Sequence, residues 1–135
     1  MNDRGLIEAA ITARENAYTP YSGFKVGAAL LTASGKVYTG CNIENAAYTP
    51  GNCAERTAFF KAVSEGERAF TAIAVAGWAQ EPGYAYPCGV CRQVMMEFCE
   101  PSAFRVLVAA GPANYQQRTL AELLPDGFGP ADLQL

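Results

Sequence analysis

Cys53-Ala54-Glu55 and Pro87-Cys88-Gly89-Val90-Cys91 stand far apart in a chain of 135 residues, and the chemistry they share restricts how that chain can fold. The chain has no histidine. A metal site must therefore draw on thiolates or carboxylates, and proton transfer near neutral pH falls to Glu or Asp. If Cys53, Cys88 and Cys91 hold one ion, the two segments have to meet in space. Three protein ligands leave a position for water, whereas a structural zinc site is normally closed by four. A carboxylate beside such a site that is not itself a ligand, here Glu55, can move the protons of that water. The pattern points to Zn²⁺ and to hydrolysis.

The elements that could bring these segments together follow from hydrophobic periodicity. Leu6, Ile7, Ala10 and Ile11 fall at helical spacing and predict a helix to about Ala17, capped by Asp3 and ended by Thr19-Pro20-Tyr21-Ser22-Gly23. Residues 25–32 and 36–43 are β-rich and joined by Ala33-Ser34-Gly35, which predicts a hairpin. Asn52 is a candidate cap for a helix from Cys53 to Ser64, with Gly66 as its stop. Residues 70–78 read as a buried strand, 80–87 as a loop and 88–99 as a third helix. Strands at 104–110 and 116–119 and a helical turn at 120–124 complete the chain. This order predicts an α/β fold: a three-layer α/β/α sandwich with a mixed five-stranded sheet, in a single domain spanning 1–135.

In that arrangement Cys53 and Cys88 start two helices and Cys91 follows Cys88 by one turn on the same face. Free N–H groups and the positive dipole end at a helix start favour thiolate over thiol, easing the deprotonation that zinc binding requires. Three thiolates leave the zinc cluster with a net single negative charge, which opposes acidification of a bound water, so something must offset it. Arg56, next but two to Cys53, could do so by donating to thiolate sulfur. Cys99 lies eight residues beyond Cys91, about 12 Å along a helix, too far for a bond of about 2.3 Å. Cys41 and Cys99 read as small buried hydrophobes. Taken alone, Glu55 also reads as a solvated first-turn acid favoured by the helix dipole, and the three cysteines as core residues or as part of a structural site completed by Cys41. The pairing of the motifs favours the catalytic reading.

The formal charge of −3, with clusters of neither sign, provides no basic stripe for a polynucleotide. No apolar run approaches membrane length, no apolar signal region follows Met1, and five cysteines without a secretion signal read as reduced thiols. A cytoplasmic location is the expectation.

Five motifs in order carry a family resemblance: Pro20-Tyr21-Ser22 with Phe24-Lys25-Val26-Gly27-Ala28-Ala29-Leu30, Asn42-Ile43-Glu44-Asn45-Ala46, Cys53-Ala54-Glu55-Arg56-Thr57-Ala58, Pro87-Cys88-Gly89-Val90-Cys91-Arg92-Gln93, and Leu123-Leu124-Pro125. The chain resembles small cytidine deaminases of the all-cysteine, homotetrameric type. That resemblance implies hydrolytic deamination of cytidine and 2′-deoxycytidine in pyrimidine salvage, one Zn²⁺ per subunit on Cys53, Cys88 and Cys91, and Glu55 as acid and base. It further implies Asn42 and Glu44 on the ribose, Phe24 packed on the pyrimidine, the Ala54 backbone N–H on the base, and Arg56 on the thiolates. Tyr48 and Phe128 match aromatics that family members contribute across subunit interfaces of a homotetramer. Gly51 and Tyr86 stand where relatives often carry other residues. The partners implied are a nucleoside and copies of this chain, with neither nucleic acid nor membrane. Two other readings are a blasticidin-type deaminase, which shares Cys-Ala-Glu and Pro-Cys-x-x-Cys-Arg-Gln, and a non-catalytic zinc-binding module; Asn42-Ile43-Glu44-Asn45-Ala46-Ala47-Tyr48 favours the nucleoside enzyme over the former.

Overall fold

In the computed structural model, which describes residues 1–133, the strands form one five-stranded sheet. They are β1 (Lys25–Thr32), β2 (Val37–Cys41), β3 (Phe70–Trp78), β4 (Arg105–Ala109) and β5 (Tyr115–Thr119), in the order β2-β1-β3-β4-β5. Only β3 and β4 pair in parallel, and the other three pairings are antiparallel. The helices are α1 (Asp3–Ala13), α2 (Ala54–Ser64), α3 (Gly89–Phe98), α4 (Leu120–Leu123) and α5 (Pro130–Leu133).

Alternation along the strands builds a core on each face. Ala28, Leu30, Ile73, Val75, Val106 and Val108 face α2 and α3, where Phe59 packs against Phe70 with ring centroids 5.2 Å apart. Ala29, Ala72, Ala74, Ala76 and Leu107 face the other way, toward Leu6, Ile7 and Ala10 of α1. The mixed sheet and its two helical layers are the predicted three-layer sandwich.

This topology positions the two cysteine segments. The chain passes from β2 through α2 to β3, and from β3 through α3 to β4, and both crossovers step across the sheet in one direction. Crossovers of a single handedness that step one way must lie on one face. Both helices therefore begin at the carboxyl ends of parallel strands, on the same face and at the same end of the sheet, where sites of α/β proteins form.

Glycine sets how closely the helices approach. A Cβ on Gly40 of β2 would lie 2.5 Å from the Ala54 carbonyl oxygen and 2.6 Å from the Ala58 nitrogen, so the first turns of α2 rest directly on the strand. A Cβ on Gly27 would fall 2.0 Å from the Ala10 carbonyl oxygen and 2.6 Å from the Arg14 nitrogen, at the end of α1.

Three local expectations are corrected. The cap of α1 is Asn2, whose side chain accepts from the Gly5 N–H, and Asp3 is the first helical residue, paired with Arg105. That helix ends at Ala13 and passes through a 3₁₀ turn, Arg14–Asn16, instead of continuing to Ala17. Arg14 is drawn onto the strand ends: its guanidinium lies 3.7 Å from the Trp78 ring centroid and donates to the Lys25 and Trp78 carbonyls. Ala17 is extended, which lets Tyr18 bridge to Ile43. Asn52 is not the cap of α2, because its backbone is committed to a bridge with Ile43, and Cys53 takes the cap position. The short helix α5 was not anticipated.

Gly40→Ala should push the start of α2 off the sheet, costing about 1–3 kcal/mol and lowering Tm by at least about 5 °C. Calorimetry checks this, and Gly35→Ala, at a turn glycine with no atom near its Cβ position, sets the scale for backbone strain alone.

Candidate active site

Cys53 and Cys88 each occupy the residue immediately before a helix, with extended backbone (φ −78°, ψ 155° and φ −67°, ψ 167°). A side chain at that position usually accepts a free helix N–H. Neither sulfur does so, which leaves both available as ligands. Cys91, one turn into α3, is buried. The Sγ atoms of Cys53 and Cys88 are 3.8 Å apart, those of Cys88 and Cys91 are 3.6 Å apart, and all three lie within 4.8 Å of one another. Sulfurs bound at about 2.3 Å to one tetrahedral zinc ion are about 3.8 Å from each other. Both the spacing and the chemistry of the donor set fit that ion. Cys41 and Cys99 are outside this group, and among the described residues no fourth His, Cys, Asp or Glu joins it. Cys99 closes α3 within the core, where burial pushes its thiol up to about 12.

Arg56 Nη2 donates to Cys53 Sγ at 3.1 Å, and the buried Nε has no partner among the described residues. The Cys53 thiol is held down to about 5, first by a hydrogen bond with Cys91 and then by Arg56, against the opposing effect of burial. Arg56 is in turn held above its ordinary value, chiefly by the bond to Cys53. The cation expected to balance thiolate charge is thus in contact with sulfur.

Glu55, in the first turn of α2, is 5% exposed. Burial pushes its carboxyl up to about 7; its own backbone N–H opposes the shift and the Cys53 charge adds to it. A carboxyl with that value can take and return a proton near neutrality, as a solvated first-turn glutamate cannot.

A cavity of about 560 Å³ opens at this corner. Its lining includes Cys53, Ala54, Glu55, Arg56 and Cys88, and not the buried Cys91. Phe24, Asn42, Glu44 and Tyr48 line it as well. The Asn42 side chain accepts from the Val26 N–H at 2.9 Å and donates to the Phe24 carbonyl at 2.8 Å, so it holds the start of β1 and keeps one N–H and one lone pair free of these bonds. Glu44 accepts from the Tyr21 and Ser22 backbone N–H groups and the Ser22 hydroxyl, and the hydroxyl is the main cause of its carboxyl lying below the usual range. Tyr48, 82% exposed at the rim, has a left-handed backbone (φ 62°) that is uncommon outside glycine. Phe128 does not line this cavity; its ring is 58% exposed and its carbonyl accepts from Gln93.

Sequence reasoning missed several wall residues. Val26 and Val75 carry only the signature of buried strands, whereas Gly51 and Tyr86, the two departures from the relatives that bear on the pocket mouth, both line the cavity. Tyr86 lines the cavity while its hydroxyl bonds to the Gln116 side chain of β5. Ser22 had a signal, its place in Pro20-Tyr21-Ser22, but no contact with Glu44 could be read from it.

A family model described as the cytidine and deoxycytidylate deaminase zinc-binding region matches residues 1–107. The chain is 52% identical over 133 residues to a cytidine deaminase of Sporosarcina psychrophila, covering 98% of this chain and 96% of the relative. It is 51% identical over 133 residues to a cytidine deaminase of Halalkalibacterium halodurans, covering 98% of each. Its structure resembles the crystal structure of cytidine deaminase from Burkholderia pseudomallei, with a TM-score of 0.86 and 51% identity over 95% of this chain and 100% of the other.

An ion held by the three clustered sulfurs should be lost from Cys53→Ala, Cys88→Ala and Cys91→Ala and kept by Cys41→Ala and Cys99→Ala. Elemental analysis of the purified variants checks this.

Proposed function

The chain belongs to the cytidine and deoxycytidylate deaminase family, and on that premise we propose that it hydrolyses cytidine and 2′-deoxycytidine to uridine and 2′-deoxyuridine, releasing ammonia in pyrimidine salvage. The observation that carries this reading is the placement of Glu55: a carboxyl 5% exposed, pushed up by that burial, at the wall of a cavity and next but one to a clustered cysteine.

Cys53, Cys88 and Cys91 would hold one Zn²⁺ per subunit. Bound there, zinc would supply Lewis acidity that activates a water. Glu55 takes a proton from that water as it adds to C4 of the pyrimidine, and gives it to N3. The same carboxyl then carries the proton of the new C4 hydroxyl to the amino group, and the C4–N bond breaks as the C4 carbonyl forms, releasing ammonia. Arg56 offsets the thiolate charge that would otherwise resist this chemistry. The backbone N–H of Ala54, in the first turn of α2 where such groups lack helical partners, is free to donate to the base. Phe24 packs on the ring, and Glu44 and Asn42 receive the sugar.

Charge favours a nucleoside over a nucleotide. Arg56 is the single cationic residue among those lining the cavity, and it is engaged with Cys53, while Glu44 and Glu55 are acidic. A phosphate ester would enter without a counter-charge. The lack of a fourth candidate ligand among the described residues, and a buried Glu55, weigh against a non-catalytic zinc module. The high-identity relatives quoted above are named cytidine deaminases, which favours cytidine over blasticidin. We further propose a cytoplasmic homotetramer in which Tyr48 and Phe128 complete neighbouring pockets. The exposure of both rings supports that assembly. No helix among the described residues is long and apolar enough to cross a membrane.

A spectrophotometric assay with cytidine tests the activity: turnover is expected, and an inactive zinc-loaded protein would contradict it. Glu55→Gln should keep its fold and its zinc while kcat falls by about a hundredfold or more, because proton transfer is removed without removing a ligand. Sedimentation should give a tetramer, and a fully active monomer would remove the roles given to Tyr48 and Phe128.

A further inference from the structure

Ser22 is exposed, outside both cores and remote in sequence from the metal ligands. Its hydrogen bonds are nonetheless concentrated on the pocket. The hydroxyl donates to Glu44 Oε2 and accepts from the Phe24 N–H at 3.0 Å, while its backbone N–H donates to Glu44 Oε1 at 3.2 Å. The Tyr21 N–H donates to the same Oε1 at 3.0 Å. Three donors therefore hold a carboxylate that has about four lone-pair sites, leaving roughly one for a ligand hydroxyl. One side chain thus bonds both the Phe24 backbone, just before β1, and the Glu44 carboxylate.

A glutamate at an exposed loop would otherwise sample several rotamers, and ordering it on substrate binding costs free energy. Here that ordering is done before the substrate arrives. Phe24 has a second tie, from the Asn42 side chain to its carbonyl, whereas among the described residues the Ser22 hydroxyl alone donates to Glu44 Oε2, both backbone N–H groups going to Oε1. Loss of the hydroxyl therefore frees Glu44 Oε2 while both bonds to Oε1 remain, so the carboxylate loses the contact that fixes its rotation.

We infer that Ser22 is a positioning residue for sugar recognition: its hydroxyl sets the Glu44 carboxylate in the orientation that accepts a ribose hydroxyl, and so sets selectivity for nucleosides bearing ring hydroxyls. This rests on the nucleoside reading above and adds to it a residue that acts through Glu44 without touching the reacting atoms.

The test compares parent, Ser22→Ala and Ser22→Thr with cytidine and with 2′,3′-dideoxycytidine, alongside zinc content and circular dichroism. Ser22→Ala should keep fold and zinc, raise KM for cytidine about tenfold and leave kcat within about twofold. Dideoxycytidine, which offers Glu44 no ring hydroxyl, should be affected little, so the preference for cytidine narrows by about the same tenfold. Ser22→Thr, which keeps the hydroxyl, should restore the parent KM. An unchanged KM for cytidine in Ser22→Ala would overturn the inference, as would an equal loss on both substrates. Loss of fold or zinc in Ser22→Ala would overturn it too, since that would make the hydroxyl structural. A parent protein inactive on cytidine would instead defeat the nucleoside reading itself, whereas an active parent matched by Ser22→Ala defeats only the role of Ser22.

Discussion

The convergence of two helix starts on one corner of the sheet is the constraint on which the rest of the site depends. It follows from strand order, because two crossovers of one hand, stepping in one direction, place α2 and α3 on the same face and begin both at the carboxyl ends of β2 and β3. Cys53 and Cys88 sit at the two cap positions and Cys91 one turn inward, which yields three sulfurs in a group. Gly40 lets α2 approach closely enough for this.

Electrostatics then separates the roles of neighbouring residues. Cys53, Glu55 and Arg56 fall within one turn, yet the sulfur is held down to about 5, the carboxyl is pushed up to about 7, and the guanidinium contacts the sulfur. The difference lies in direction and burial. Cys53 meets a hydrogen-bond donor and a cation, whereas Glu55 is buried with its own backbone N–H as its hydrogen-bond donor. A buried carboxyl with a raised value thus lies next to a group of sulfurs suited to a metal, outside that group.

Much of this was legible in the sequence because it is local. The one-turn spacing of Cys88 and Cys91, the absence of histidine and the alternation of apolar residues in the strands each report short-range geometry, and the sheet and the sulfur cluster follow them. Caps were less legible, since Asn2 and Asp3, or Asn52 and Cys53, are adjacent residues whose choice is made by tertiary contacts such as the Ile43–Asn52 bridge. The early end of α1 depends on Arg14 reaching Trp78, far along the chain. The tie between Ser22 and Glu44 crosses from one loop to another and leaves no periodic trace. Phe128 lies outside the cavity of its own chain, so an isolated chain gives its ring no pocket to fill.

On the proposed reading, three thiolates hold one ion and leave it a position for chemistry. X-ray absorption at the zinc edge of the purified protein tests this most directly. Three sulfur neighbours at about 2.3 Å and one lighter oxygen or nitrogen neighbour at about 2.0 Å are expected. Four sulfur neighbours would show a closed structural site and contradict it.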